Sequence, residues 1–175
     1  MGCLQFSLRL RLSLASFIAS KLVFIQYLFA LAVVEACRDN KVLGEWGDRV
    51  RIKWPNDVYI VGDEETKTTK VAGILVYTTF SGSDVDVVIG AWSYSVCHAM
   101  DLLKYAIGCG LNVLNPPPIA SLARLLPPGM EHNLSIERTL AILMTKFEGM
   151  WNIFVGGKGS FEPFMDLYLD RWLHS

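Results

Sequence analysis

The stretch "VRIKWPNDVYI", residues 50–60, decides the fold of this 175-residue chain because two strand-forming runs flank a tight corner. From Val50 to Trp54 apolar and basic residues alternate, which is the period of a strand with one buried face. The proline and asparagine that follow favour a turn. The corner also carries a cation, a carboxamide and a carboxylate, in Lys53, Asn56 and Asp57. A plain turn does not require that chemistry, so the corner is a candidate functional site.

Regular patterns on either side of the corner predict a sheet and a buried helix. From Leu4 to Leu14 apolar and polar residues alternate without interruption, which predicts one half-buried strand. Residues 16–38 are apolar nearly all round, which predicts a helix packed deep against a sheet. Residues 71–80 and 85–90 are rich in strand formers, and the turn sequence "SGSD" between them predicts an antiparallel hairpin.

The C-terminal third is predicted to be helical. The sequence "NPPP" at residues 115–118 forbids regular structure there. Residues 135–154 carry an apolar stripe at helical spacing, and residues 161–174 predict a short closing helix. Strands with one early helix and later helices indicate an α+β fold, with a mostly antiparallel sheet packed by helices. The length suits a single domain over residues 1–175.

Composition excludes several classes of protein. Apolar residues make up 52% and charged residues 19%, which excludes a disordered chain. The formal charge is −1 with scattered cations, so we expect no nucleic-acid partner. The four cysteines show no C-x-x-C spacing and no histidine cluster accompanies them, which indicates reduced thiols, no metal site and a cytoplasmic location.

The apolar run at residues 22–34 raises the possibility of a membrane-anchored protein. The run is bounded by Lys21 and Glu35, contains Gln26, and is shorter than the roughly 20 residues that cross a bilayer. A buried helix is therefore the better interpretation, and we expect no membrane partner.

Three stretches resemble the catalytic domain of the biotin protein ligases (holocarboxylase synthetases). They are "KWPND" at 53–57, "KVAGILV" at 70–76 and "GCGLN" at 108–112, in that order and each at a strand end. The closing "YLDRWLHS" resembles the end of that domain, and "GCLQFSLRLRL" resembles eukaryotic members more loosely. The resemblance implies the biotin/lipoate ligase catalytic fold, which is similar to that of class II aminoacyl-tRNA synthetases.

The resemblance also implies a reaction in two steps. The carboxylate of biotin attacks the α-phosphate of ATP, supplied with Mg²⁺, to give biotinyl-adenylate and pyrophosphate. A lysine on the biotin-carrier domain of a carboxylase then attacks the acyl carbon. The first step joins two anions, so fixed positive charge in a dry cleft would stabilise its transition state.

Site residues follow from the matched motifs. Lys70 matches the family lysine that contacts both the biotin carboxylate and the α-phosphate, and is the candidate catalytic residue. The implied biotin-binding residues are Lys70, Gly73, Leu75 and Asp57, and the implied ATP- or adenylate-binding residues are Lys53, Asn56 and Asn112. The alternatives from the residues alone are a solvated lysine in a polar loop, a strand glycine at a bulge, an asparagine–aspartate turn, and an asparagine that caps the segment before "NPPP".

The chain also departs from the family pattern. A G-R-G-R-x-G loop and a Ser/Thr-rich biotin segment are expected before Met1, and a small β domain after Ser175, so the sequence predicts a domain truncated at both ends. Arg9 and Arg11 lie on the polar face of a predicted strand and are not expected to replace the missing arginines.

An anomalous segment, residues 91–108, separates "VDVVIG" from "CGLNV". The dipeptide "IG" occurs immediately before this segment, at 89–90, and again at its end, at 107–108. A strand cannot accept 18 extra residues and keep its register. Either "LKYAIG" at residues 103–108 replaces residues 85–90 as the strand, or the segment leaves the sheet near the site. A retained intron or misjoined gene model, and a genuine insertion, are the two hypotheses for its origin.

Two alternative functions remain open from the sequence. One is a catalytically inactive fragment that binds nucleotide or biotin. The other is a lipoate–protein ligase, which shares the fold, although "KWPND" resembles the biotin branch.

Overall fold

The computed structural model describes residues 2–62, 67–92 and 110–174. The alternative strand "LKYAIG" at 103–108 and the first two residues of "GCGLN" (108 and 109) lie outside these ranges. The described residues form an antiparallel sheet with helices packed against it, so the predicted α+β fold is confirmed.

The strands and helices have the following bounds. The strands are β1 (Cys3–Leu4), β2 (Ser7–Ser13), β3 (Val50–Lys53), β4 (Asp57–Ile60), β5 (Thr69–Ser81), β6 (Asp84–Trp92) and β7 (Gly110–Asn112). The α-helices are α1 (Leu22–Cys37), α2 (Ile136–Gly156) and α3 (Met165–Asp170).

The sheet is built around the long strand β5. One side of β5 pairs with β4, which pairs with β3. The other side pairs with β6 and then, at Ala72, with β7, so β6 and β7 lie end to end. Beyond them, β2 pairs with β6 and β1 pairs with β7. The predicted hairpin of β5 and β6 is confirmed, with Gly82 at its turn in the left-handed region at φ +59°.

The register shows how β6 and β7 divide a single strand position. On β5, Gly73 lies opposite Trp92 and the next residue, Ala72, lies opposite Leu111. Trp92 and Leu111 therefore take successive places beside β5, although residues 93–110 lie between them in the sequence. The β1–β2 side gives the same offset, since Ser7 lies opposite Gly90 and Leu4 opposite Leu111.

This register decides between the two predicted placements of the strand. Residues 85–90 lie within β6, so the alternative in which residues 103–108 take that place is wrong. Strand β6 also continues two residues into the 91–108 segment, to Trp92.

The uninterrupted strand predicted from Leu4 to Leu14 is also wrong in one respect. It divides into β1 and β2 at Gln5 and Phe6, where its neighbour changes from β7 to β6. It ends at Ser13, and the amide of Leu14 donates to the Ser83 carbonyl at 2.8 Å. Alternation records which face is buried and carries no information about which strand is the neighbour.

The core lies between one face of the sheet and the helices. Helix α1 begins at Leu22, after a 3₁₀ turn at Phe17–Lys21, and every residue from Leu28 to Val34 is buried. By length and composition residues 17–37 could cross a bilayer, but in the structure their second half forms the centre of the core. Ser135 caps α2 by accepting from the Arg138 amide, and Phe147 of α2 packs edge-on against Phe29 of α1 at 5.2 Å.

The closing helix is shorter than predicted. Only Met165–Asp170 is α-helical, and residues 171–173 then run alongside β3. The Ile52 amide donates to the Arg171 carbonyl and the Leu173 amide to the Ile52 carbonyl, both at 2.8 Å. Arg171 also donates to Glu35 of α1 at 2.7 Å. The C-terminal segment therefore covers the edge of the sheet next to the "KWPND" corner.

Candidate functional site

The corner at residues 54–56 joins β3 to β4 and is fixed to β5 by Asn56. Lys53 and Asp57 lie opposite each other at the end of the β3–β4 pair. The Ile74 amide donates to the Asn56 carbonyl at 2.7 Å, and the Asn56 carboxamide donates to the Ile74 carbonyl at 2.8 Å. The Trp54–Pro55 peptide is cis. Asn56 thus bonds the backbone of a neighbouring strand, rather than only its own turn.

Lys70, Asp57 and Gly73 converge on the face of the sheet opposite the core. Gly73 is the strand partner of Asp57, and the Lys70 ammonium lies 2.6 Å from Asp57 Oδ1. A Cβ added at Gly73 would lie 3.2 Å from Lys70 Nζ and 3.3 Å from Asp57 Oδ1. The glycine therefore allows the ion pair to lie directly against the β5 backbone, where a Cβ would crowd it.

A β-bulge brings Lys70 to this face. Val58 lies opposite Ala72, but Tyr59 lies opposite Lys70, so Val71 is an extra residue in β5. Side chains alternate between faces along a strand, and one inserted residue reverses the alternation beyond it. Without the bulge Lys70 would point into the core. With it, the lysine lies beside Tyr59 on the face that carries Asp57.

The ion pair orients the Lys70 side chain more than it stabilises the fold. The Lys70 side chain is 44% exposed and that of Asp57 25%, and such partly solvated pairs contribute about 1 kcal/mol or less. A hydrogen-bonded carboxylate nevertheless restricts where the ammonium can lie. The pair therefore presents Lys70 in a defined place at the open face of the sheet.

A second lysine lies on the same hairpin. The Lys53 ammonium is 5.0 Å from the centroid of the Tyr59 ring, within cation–π distance. Because Lys53 pairs with Asp57, it occupies the same face of the sheet. Two ammonium groups and one carboxylate leave this part of the face with a net positive charge, which suits an anionic ligand.

Leu75 lies further along β5, and Asn112 lies on β7, the strand that pairs with β5 at Ala72. Leu75 is two residues from Gly73 on β5 and 39% exposed, as expected for the open face. Asn112 follows Leu111, which is buried in the core, so alternation places its side chain on the opposite face. Asn112 is 7% exposed and, among the described residues, its Oδ1 has no hydrogen-bond partner. It is therefore a strand residue with an unused acceptor, rather than a capping asparagine.

Arg9 and Arg11 do not join this group. Arg9 Nη2 lies 2.7 Å from Asp86 Oδ2, and Arg11 Nε lies 3.0 Å from Asp86 Oδ1. The two guanidinium groups hold the pKa of Asp86 well below its usual range. Both arginines are thus engaged with a carboxylate on β6, as their place on the polar strand face suggests.

Two residues that contact the corner were missed by the sequence analysis. Gln26 Nε2 donates to the Pro55 carbonyl, and the Trp54 indole donates to the Tyr27 hydroxyl, each at 3.2 Å. One signal was present: Gln26 is a polar residue in an apolar helix, and such a residue usually has a hydrogen-bond partner.

No metal cluster accompanies the site. Within residues 2–62, 67–92 and 110–174 no three His, Cys, Asp or Glu side chains are grouped so that they could hold a metal ion. Cys37 is fully buried in α1, and burial raises the pKa of its thiol to about 12. Cys3 is also a free thiol.

Comparison with known proteins agrees with the motifs at this site. The profile of the biotin/lipoate A/B protein ligase family matches residues 1–92, more than half of the chain, including the corner and all of β5. The chain belongs to this family.

Relatives of this family cover the rest of the chain. Biotin–protein ligase 2 of Arabidopsis thaliana is 31% identical over 99% of this chain, and the chloroplastic biotin–protein ligase 1 is 33% identical over 99%. The chain spans 45% and 40% of the lengths of these two relatives. A biotin protein ligase from Aquifex aeolicus, solved in complex with biotin and ATP, has the same fold, with a TM-score of 0.56 and 19% identity over 98% of this chain and 59% of that one.

Proposed function

We propose that this chain carries the adenylate-forming site of an ATP-dependent biotin–protein ligase. The proposed substrates are biotin and ATP, and the proposed acceptor is a lysine on the biotin-carrier domain of a biotin-dependent carboxylase. Support for biotin and ATP comes from relatives named biotin–protein ligases and from the structural neighbour that binds both molecules.

One observation carries the proposal, namely the convergence of Lys70, Asp57 and Gly73 on the open face of the sheet. These residues come from "KWPND" and "KVAGILV", two motifs 12 or more residues apart in the chain. Their meeting places an oriented ammonium over the β5 backbone at Gly73. A carboxylate and a phosphate can both approach such a cation.

Lys70 would act by holding two anions together. In the first step an oxygen of the biotin carboxylate bonds to the α-phosphorus, and the bond to the pyrophosphate oxygen breaks. Negative charge crowds at the phosphorus as the bond forms, and a preoriented ammonium stabilises that charge more in a site of low dielectric than in water. Removal of one such preoriented donor typically costs about 10²–10³ in rate.

The neighbouring residues would form the walls of the site. Gly73 and Leu75 would offer backbone and a short apolar surface to biotin, with Asp57 keeping Lys70 in place. Lys53, Asn56 and Asn112 would contact the adenylate, and the unused Oδ1 of Asn112 is suited to accept a hydrogen bond from the adenine amino group or the ribose.

Mg²⁺ fits this site only as a companion of ATP. Among the candidate site residues that the structure describes, Asp57 carries the carboxylate, and its Oδ1 is already paired with Lys70. Asp57 would therefore supply at most one oxygen ligand. Mg²⁺ commonly takes one or two carboxylates with substrate phosphates and water completing its coordination. Bound there, it would neutralise phosphate charge. The proposed setting is the reducing cytoplasm, which free thiols at Cys3 and Cys37 favour.

Biotin-dependent exchange of labelled pyrophosphate into ATP tests the proposal. We expect the wild-type chain to catalyse exchange with biotin and the Lys70→Met variant to lose it by about 10²-fold or more. Exchange that depends on lipoate instead would favour the lipoate ligase. Tight binding of biotinyl-adenylate without exchange would favour the inactive binding fragment.

A further inference from the structure

We propose that Gln26 and Tyr27, successive residues of α1, are positioning residues that hold the "KWPND" corner in register with the ligand site. The inference rests on the proposed function and adds to it a part of the molecule that lies outside the family motifs. Neither side chain is expected to touch the ligand. Each would act through the corner.

The first link joins α1 to the corner at two consecutive residues. Gln26 donates to the Pro55 carbonyl, and Tyr27 accepts from the Trp54 indole, each at 3.2 Å. Proline has no backbone N–H, so its carbonyl is the only backbone group by which residue 55 can be held. Trp54 is 58% exposed, so burial does not fix its ring.

The helix end of this link is rigid. Ile25 and Leu28, on either side of the pair, are fully buried. The Tyr27 ring packs against Phe161 at 6.2 Å and Tyr168 at 5.7 Å between ring centroids. The Gln26 donor and the Tyr27 acceptor therefore belong to a part of the molecule that the core holds in place.

The second link joins the corner to the site. Asn56 follows Pro55 and exchanges two hydrogen bonds with Ile74, at 2.7 and 2.8 Å. Ile74 is adjacent to Gly73, and Asp57, which follows Asn56, lies 2.6 Å from the Lys70 ammonium. A displacement of the corner is thus transmitted to the carboxylate that aims Lys70.

The expected consequence is lost alignment rather than lost folding. A misplacement of about 1 Å at a reacting group can reduce the rate about 10²-fold. Removal of one neutral hydrogen bond from the corner is expected to reduce the affinity for biotinyl-adenylate roughly two- to tenfold.

Tyr27→Phe and Gln26→Met test the inference, because each keeps side-chain size and removes the contact. We expect the Ile74 amide to exchange with deuterium roughly tenfold faster in both variants, whereas the β2 and β6 amides are unchanged. Biotinyl-adenylate should bind two- to tenfold more weakly, by calorimetry. Trp54→Phe combined with Tyr27→Phe should be no worse than either alone, because both remove the same hydrogen bond.

Two matched controls separate positioning from a general effect. Tyr77→Phe removes a hydroxyl from a residue of β5 that is 57% exposed, and Val23→Ala alters α1 one turn before the pair at a residue that is 58% exposed. Both should retain wild-type exchange at Ile74 and wild-type affinity.

The outcomes distinguish the inference from the proposed function. Wild-type affinity in Tyr27→Phe and Gln26→Met overturns the inference alone, even if Ile74 exchanges faster, because the contacts would then be merely structural. A wild-type chain that binds no biotinyl-adenylate overturns the proposed function, and the inference fails with it.

Discussion

Deletion of residues 93–110 should leave the sheet intact and raise the stability of the fold. Trp92 and Leu111 occupy successive places along β5 and along the β1–β2 edge, so their direct connection would make β6 and β7 one strand in the present register. Closing a flexible connection of 18 residues generally costs about (3/2)RT ln 18, or about 2.6 kcal/mol, and a direct bond between Trp92 and Leu111 has no such cost. With a typical denaturant dependence, the midpoint of urea unfolding should rise by about 1 M.

A deletion one residue shorter is the matched control. Removal of residues 93–109 places Gly110 opposite Ala72 and turns Leu111 and Val113, both buried now, to the other face. We expect that variant to unfold at a lower urea concentration than wild type or not to fold. The reasoning is refuted if the 18-residue deletion lowers the midpoint, or if the two deletions behave alike, when followed by circular dichroism.

Three further predictions concern single residues. Gly73→Ala should keep the unfolding midpoint, because the flexible end of Lys70 can yield a few tenths of an ångström. The displaced ammonium should weaken biotinyl-adenylate binding roughly tenfold, and equal affinity would contradict the role of Gly73 in placing Lys70. The two arginines hold the pKa of Asp86 in the folded protein below its ordinary value of 3.8. The ionised Asp86 therefore stabilises the fold fully above pH 3.8, and this stabilisation is lost as the pH falls through the pKa of the folded state. Asp86→Asn should therefore destabilise the protein at pH 6 and much less at pH 2 in urea titrations, and a pH-independent difference would be against it. Burial raises the pKa of the Cys37 thiol from the ordinary 9.0 to about 12, so iodoacetamide at pH 8 should alkylate Cys37 only after unfolding. Modified Cys37 in peptide mass spectrometry of the folded protein would disprove its burial.

The sequence predicted the elements whose formation depends on residues close together in the chain. The alternation in residues 50–60, the hairpin around Gly82 and the apolar character of α1 all lead to the observed elements. These features follow from periods of two and 3.6 residues, which a single sequence displays.

Features that depend on pairing between distant segments were not predictable in the same way. Alternation at residues 4–14 could not report that the neighbour changes from β7 to β6, because both neighbours bury the same face. The face of Lys70 depends on the extra residue Val71, and nothing near that residue distinguishes a bulge from a regular strand. The motifs identified Lys70, Asp57 and Gly73 as candidates, but only the pairing of β4 with β5 explains why these three residues meet.

The partner of Gln26 is a third case of this kind. The sequence indicated that a carboxamide in an apolar helix needs an acceptor, but could not identify the Pro55 carbonyl, 29 residues away. A requirement for a partner is local, whereas the identity of the partner is set by how the helix packs on the sheet.

Titration of biotinyl-adenylate into the wild-type chain and the Lys70→Met variant, by isothermal calorimetry, tests the central claim most directly. If Lys70 is the cation on which carboxylate and phosphate meet, the wild type binds at one site and the variant binds roughly 10- to 100-fold more weakly, as expected for the loss of a charge-assisted hydrogen bond. Equal affinity in the two proteins, or no binding by the wild type, would contradict the account.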